Sequence, residues 1–173
     1  SLTAERQVNM ELSNDLRNLP ASGDETKIIK EIFQYIVIKL GEENFGIDIN
    51  YIDNILRMQQ ITRVPKVPAY LKGVINLRGE VIPVMSLRLK MGLEEDVIGR
   101  DTRIIILKIE NEGSVGVLVD EVKEVIKLSE DQIESTTAEG AVPEARRFVS
   151  AVGKNGSELI SILDIASISL DAN

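Results

Sequence analysis

Phe45-Gly46-Ile47-Asp48-Ile49-Asn50-Tyr51-Ile52-Asp53-Asn54-Ile55-Leu56-Arg57-Met58 is the run that decides the fold, because it occurs twice. Its partner, seventy positions on, is Val115-Gly116-Val117-Leu118-Val119-Asp120-Glu121-Val122-Lys123-Glu124-Val125-Ile126-Lys127-Leu128. Gly46 sits over Gly116, and Ile47, Ile49, Ile52 and Ile55 sit over Val117, Val119, Val122 and Val125. The preceding block repeats as well, Tyr35–Leu40 against Ile104–Ile109. So does a following one, Glu80–Leu87 against Glu158–Ile165. Three blocks in one order imply a tandem duplication of a unit of roughly 65 residues, and two copies fall short of the three a solenoid needs. The pattern predicts two small modules packed together, with the groove between them as a place to bind a partner.

A module of about 60 residues makes a marginal core alone, so the two copies are expected to share one. The net charge of −8 is spread along the chain, which argues against nucleic acid and against anionic membrane surfaces as partners. There is no cysteine, hence no disulfide framework and no thiol chemistry. No apolar run approaches the roughly 18 residues of a spanning helix, and no signal peptide opens the chain. A soluble intracellular protein is the expectation.

Residues 1–31 are polar and broken at Pro20-Ala21-Ser22-Gly23-Asp24. Val8, Leu12, Leu16 and Leu19 recur there at helical spacing. Two readings follow: a flexible tail with transient helix, or a short amphipathic helix docking on a partner or another copy. Residues 1–26 are expected to be dispensable for the fold. The folded domain is placed at 32–173, with repeats at about 33–92 and 102–168.

Within it, Phe33–Leu40, a turn at Gly41–Asn44 and Phe45–Ile49 read as a hairpin. Asn50–Met58 reads as a bent strand or a helical turn. Val64-Pro65-Lys66-Val67-Pro68 is excluded from a central strand, because proline cannot donate to the ladder. Ala69–Lys72 is read as one helical turn. Val74–Leu77 and Glu80–Met85 flank the tight turn Arg78-Gly79, and Ser86–Met91 reads as a short helix stopped by Gly92. In the second copy, Ser129–Thr137 and Gly140–Arg146 are read as loops. Many short strands with glycine and proline punctuation imply small antiparallel barrels.

The chain has no histidine, so the commonest general base and the commonest metal ligand are missing. Glu42-Glu43 and Glu94-Glu95-Asp96 read as solvated surface charge. Gly113-Ser114-Val115-Gly116 lacks the Lys-Ser/Thr of a phosphate loop and reads as a turn entering a strand. No catalytic residue, metal or cofactor is expected, and the chain is not read as an enzyme.

Gly73-Val74-Ile75-Asn76-Leu77-Arg78-Gly79-Glu80-Val81-Ile82-Pro83-Val84 is the best single motif. Gly79 suggests a turn with positive φ, with Arg78 where one strand hands over to the next. The second copy has no matching arginine; its stretch Val152–Ser157 reads as longer. An asymmetric element in a duplicated fold is where function is sought.

Four segments, Phe45–Ile49, Ile61–Pro65, Pro68–Gly79 and Val115–Asp120, resemble the CheW family of bacterial chemotaxis coupling proteins. The resemblance covers about residues 33–168. It implies an all-β fold of two intertwined SH3-like five-stranded antiparallel β-barrels and a non-catalytic adaptor. The implied partners are the cytoplasmic tip of methyl-accepting chemotaxis receptors and the regulatory domain of the histidine kinase CheA. The implied location is the cytoplasm, recruited to receptor arrays at the inner face of the membrane. By position, Arg78 corresponds to the receptor-signalling arginine and Ile52 to an apolar position of the receptor groove. Leu118 and Val119 fall on the matching strand of the second barrel, lining the other side. Tyr70 and Lys72 are assigned to the kinase side. Where the family often has a glutamate this chain has Asn54, so Arg78 is either hydrogen-bonded by Asn54 or freer.

The nearest alternative is an excised CheW-like regulatory domain of a CheA kinase. An intact kinase would need a phospho-accepting histidine. A β-barrel module binding oligonucleotides or small ligands is a further alternative, disfavoured by an aromatic content of 3%, poor for stacking.

Overall fold

The computed structural model describes residues 5–9, 30–136, 147–168 and 170. The segment Gly140–Arg146, read as a loop, lies outside the described residues, as do Leu12, Leu16 and Leu19.

The first copy supplies β1 (Ile32–Leu40), β2 (Glu43–Asp48), β3 (Ile52–Arg57), β4 (Leu71–Leu77) and β5 (Glu80–Ser86). The second supplies β6 (Arg103–Ile109), β7 (Gly113–Val119), β8 (Glu121–Ser129), β9 (Ile133–Ser135), β10 (Val149–Asn155) and β11 (Glu158–Leu163). They form two sheets, ordered β8-β1-β2-β11-β10-β9 and β3-β6-β7-β5-β4. Each sheet takes its first hairpin from one copy and its flanking strands from the other. Order β8-β1-β2-β11-β10 maps onto β3-β6-β7-β5-β4 when the copies are interchanged, so the two units are intertwined, as the family resemblance implied.

Two details differ from ten antiparallel strands. Each sheet contains one parallel pair, β2 with β11 and β5 with β7. The first sheet also gains β9, whose three residues were read as loop.

The apolar runs are explained by burial on two faces. In β6, Ile104 and Ile106 enter a core beside Ile75, Ile82, Val84 and Leu118. The alternate residues Ile105, Leu107 and Ile109 enter a core shared by both sheets. In β1, Tyr35 and Val37 face the first sheet's own core, while Ile36 and Ile38 face the shared one. A strand covered on both sides has no polar alternation to show.

Gly46 and Gly116 occupy equivalent places. Gly46 is paired with Ile162 and Gly116 with Val84, which are themselves equivalent residues of β11 and β5. A Cβ at Gly46 would lie 3.2 Å from Ile160 Cγ2, and one at Gly116 3.0 Å from Ile104 Cγ2. At either position a Cβ would be tight, and the facing isoleucine would have to give by a few tenths of an ångström.

Asn50–Met58 is both of the things it could have been: a 3-10 turn at Ile49–Tyr51, then β3. Ala69–Lys72 is not helical, since β4 begins at Leu71. The helix Leu87–Lys90 is capped by Ser86, whose Oγ accepts from the Leu89 amide. It carries Arg88, whose Nε donates to Asp120 Oδ1 at 2.8 Å, while Asp120 Oδ2 accepts from the Gly41 amide at 2.8 Å. One carboxylate thus ties the helix of one copy and the first hairpin turn to the β7–β8 junction of the other.

Residues 5–9 are helical. Val8 is fully buried in the shared core, and Glu5 pairs with Arg103. In its described part the N-terminal segment docks on this chain's own core, so deleting 1–26 removes a core side chain and is no longer expected to be neutral.

Candidate functional site: an arginine turn and the opposite end of its hairpin

β4 and β5 pair with Leu77 opposite Glu80, which leaves Arg78-Gly79 as a two-residue loop. Both loop residues have positive φ, 53° and 82°. This is the primed turn that matches the twist of a hairpin, and it ordinarily asks for Asn-Gly or Gly-Gly. Arginine at the first position is held where its Cβ crowds the backbone. Asn76 Oδ1 braces the loop by accepting from the Gly79 amide at 3.1 Å. The Arg78 side chain is exposed and makes no hydrogen bond or ion pair among the described residues. Asn54 does not hold it: the Asn54 Oδ1 accepts from the Ile55 amide.

The second copy corrects one expectation. β10 and β11 pair with Asn155 opposite Glu158, so their loop, Gly156-Ser157, is also two residues long. Gly156, φ 65°, stands where Arg78 stands. The asymmetry is one of residue type, not of length.

Ile52, Leu118 and Val119 do not line an open groove. Ile52 is 7% exposed and packs in the shared core opposite Leu107. Leu118 is buried among Ile82, Val84 and Ile104, and Val119 in the shared core. Their side chains face inward because β3 and β7 are covered by neighbouring structure. The surface beside Arg78 consists instead of Asn76, Glu80 and Val81, of which Val81 is 63% exposed. Val81 was missed, although its neighbours at alternate positions, Ile82 and Val84, carry the inward face of β5 and so put it outside.

Tyr70 and Lys72 lie at the other end of β4, with Lys72 roughly 20 Å of extended chain from Arg78. Tyr70 is part of the framework. Its hydroxyl donates to the Leu170 carbonyl at 2.6 Å, and Lys90 Nζ lies 4.1 Å from the ring centre. Lys72 pairs with Glu95. Hydrogen bonding from Lys72 is the main reason the Glu95 carboxyl lies below its usual value. A cleft of about 500 Å³ opens there, lined by Arg63, Val64, Pro65, Pro68, Leu71 and Lys72. Tyr70 and Lys72, two apart in sequence, thus have different surroundings, the first in the framework and the second at the cleft, and Arg78 stands apart from both.

Among the described residues no three metal-binding side chains converge, and no helix is long and apolar enough to cross a membrane. What the two ends of the β4–β5 hairpin present is contact chemistry: a free guanidinium fork beside an exposed valine, and a cationic, proline-walled cleft.

Comparison with known proteins identifies the family. The family described as the CheW-like domain matches residues 34–172. The chemotaxis protein CheW of Helicobacter pylori is 31% identical over 163 residues, 91% of this chain and 97% of that protein. The CheW of Bacillus subtilis is 36% identical over 143 residues, 83% of this chain and 90% of that protein. The crystal structure of the scaffolding protein TtCheW from Thermoanaerobacter tengcongensis superposes with a TM-score of 0.70 at 32% identity, covering 77% of this chain and 89% of that one. With its duplicated, strand-exchanged sheets and its arginine turn, this chain belongs to the CheW-like family of chemotaxis coupling proteins.

Proposed function

We propose that this protein is a chemotaxis adaptor that bridges methyl-accepting receptor tips and the regulatory domain of the histidine kinase CheA, and that it performs no catalysis itself. It works in the cytoplasm, recruited to receptor arrays at the inner face of the membrane. Family membership supports the adaptor role, and the relatives matched over most of their length bear the coupling protein's name rather than a kinase's. The observation that carries the site is Arg78, exposed at positive φ where the other copy has Gly156. A backbone held in a disfavoured region points to a position kept for its side chain.

A receptor tip is a helical hairpin, and its apolar stripe needs an apolar counter-surface. With Ile52, Leu118 and Val119 inside, that surface falls to Val81, which shares the outer face of the hairpin with Asn76 across the ladder. Arg78 supplies a planar fork of donors for a carboxylate or carbonyl at its edge. The kinase domain takes the Lys72 end of the hairpin. Two simultaneous contacts allow each to be modest, because linkage in an array raises the effective concentration of the second.

The test is co-sedimentation with a receptor cytoplasmic fragment and the kinase, followed by receptor-dependent kinase activity. The adaptor should bind each partner alone and raise activity when all three are present. Binding to neither would overturn the reading. Binding to the kinase only would favour the regulatory-domain alternative.

A further inference from the structure

The turns of the β4–β5 and β10–β11 hairpins have the same length and different types. At Gly156-Ser157 only the glycine has positive φ, the type II′ arrangement with its glycine first. At Arg78-Gly79 both residues have positive φ, the type I′ arrangement, and the first of them is not glycine. The pair Arg-Gly by itself suits a type II turn, which asks positive φ of its second residue only. Arg78 thus has an unstrained alternative close by, and its φ of 53° needs something to hold it.

A residue has two soft dihedrals, so fixing the peptide planes on both sides fixes the residue. The Leu77–Arg78 plane is fixed from the strand, where Leu77 is the last rung, opposite Glu80. The Arg78–Gly79 plane lies outside the ladder. Its N–H is the one that donates to Asn76 Oδ1 at 3.1 Å. In the second copy Lys154 stands where Asn76 stands, opposite Leu159 as Asn76 is opposite Val81. An ammonium group donates and cannot accept. Lys154 Nζ lies instead 3.9 Å from Glu134 Oε1. The acceptor is therefore present in the copy whose turn residue is strained, and absent from the copy whose glycine needs no hold.

We propose that Asn76 is the positioning residue of the arginine turn. By holding the Gly79 amide it keeps Arg78 in the left-handed conformation, and so sets the direction in which the guanidinium leaves the hairpin. Its consequence for receptor binding rests on the assignment of Arg78 as the receptor contact, whereas its consequence for the turn does not.

Four full-length variants test this: Asn76→Ala, Asn76→Asp, Arg78→Ala and the double variant Asn76→Ala/Arg78→Ala. Two NMR signals report the turn. One is the strong intraresidue amide–Hα cross-peak that positive φ gives at Arg78. The other is hydrogen exchange at the Gly79 amide, with the Ser157 amide of the second turn as reference. Asn76→Ala should weaken the cross-peak and speed the exchange by roughly threefold or more, the worth of one hydrogen bond. Asn76→Asp keeps an oxygen acceptor at the same reach and should preserve both signals. Affinity for a receptor cytoplasmic fragment should fall roughly tenfold in Asn76→Ala, as for a lost hydrogen bond to a charged group, although Arg78 is still present. It should fall no further when Asn76→Ala is added to Arg78→Ala. Unchanged turn signals in Asn76→Ala would overturn the positioning role. Full receptor affinity in spite of a relaxed turn would overturn it as well. So would an equal loss in the Arg78→Ala background, which would make Asn76 a contact in its own right. If Arg78→Ala binds the fragment as tightly as the unmodified chain, the receptor assignment of Arg78 falls and the receptor role of Asn76 falls with it, while the turn signals still decide whether Asn76 holds the turn.

Discussion

Arg78 and Gly156 stand at the same position of the same two-residue loop, one in each copy, and both have positive φ. Glycine adopts that conformation freely, whereas a residue with a Cβ is disfavoured there by about 1–2 kcal/mol. The first copy thus carries a backbone cost that the second avoids.

That cost gives a signed prediction. Arg78→Ala keeps the strain and removes an unpaired surface side chain, so stability should change by less than about 1 kcal/mol. Arg78→Gly should be the more stable of the two by about 1 kcal/mol, because the strain is gone. Both should lose receptor coupling, and Arg78→Lys should restore it only in part, since a point charge lacks the fork. Urea denaturation and receptor-dependent kinase activity on the same three variants check this. Coupling retained in Arg78→Gly would remove Arg78 from the site.

Separation along β4 predicts separable defects. Lys72→Glu reverses the charge at the cationic cleft and leaves the arginine turn untouched. It should weaken binding to the kinase domain while receptor binding is retained, and Arg78→Ala should do the reverse. Tyr70→Phe removes the hydrogen bond to Leu170 and should cost about 0.5–1.5 kcal/mol of stability. Equal loss of both partners in either surface variant would argue for one shared contact face.

How far the sequence could be read depends on what each residue's surroundings are. The hairpins were legible because their turns and apolar runs are local. The exchange of strands was legible only through the family resemblance, since no residue of β3 states that its partner is β6. Ile52, Leu118 and Val119 were read as a groove because apolarity looks the same whether the covering group belongs to a partner or to the chain. In this molecule the chain supplies the cover. Gly79 announced the turn, but the conformation of Arg78 had no signal of its own. Val8 read as one step of a stripe in a polar segment. Its burial depends on a core assembled from strands far along the chain.

Among the described glycines, Gly73 leaves the least room for a side chain. Its φ is 144°, and a Cβ there would lie 2.1 Å from the Thr62 carbonyl oxygen. That carbonyl accepts from the Val74 amide at 2.8 Å, and the Thr62 amide donates back to Val74. Gly73→Ala must break this bridge or displace the loop before β4. A loss of about 2–4 kcal/mol is expected from strain and two forfeited backbone bonds. Chemical denaturation measures it, and a change below about 0.5 kcal/mol would mean that the loop re-seats freely.

Asp120 and Asp96 should shape the pH dependence with opposite signs. Burial raises the Asp120 carboxyl, but the Arg88 hydrogen bond, the Gly41 amide and the Arg88 charge together outweigh it and hold it below its usual value. Its stabilisation is complete above the unfolded value, about 3.9, and is lost as pH falls through the lower folded value. Asp96 is raised, chiefly by burial, despite the hydrogen bond from Ser86. Its contribution is complete below about 3.9 and is lost as pH rises through the higher folded value. Asp120→Asn should therefore cost about 1–3 kcal/mol at neutral pH and flatten the acid limb below about pH 4. Asp96→Asn should flatten the slope just above that point, in the opposite sense. Urea midpoints from pH 2 to 7, roughly the span over which these carboxyls titrate, distinguish the two. An acid limb unchanged in Asp120→Asn would show that the tie between the helix Leu87–Lys90 and the β7–β8 junction rests on packing rather than on the ion pair.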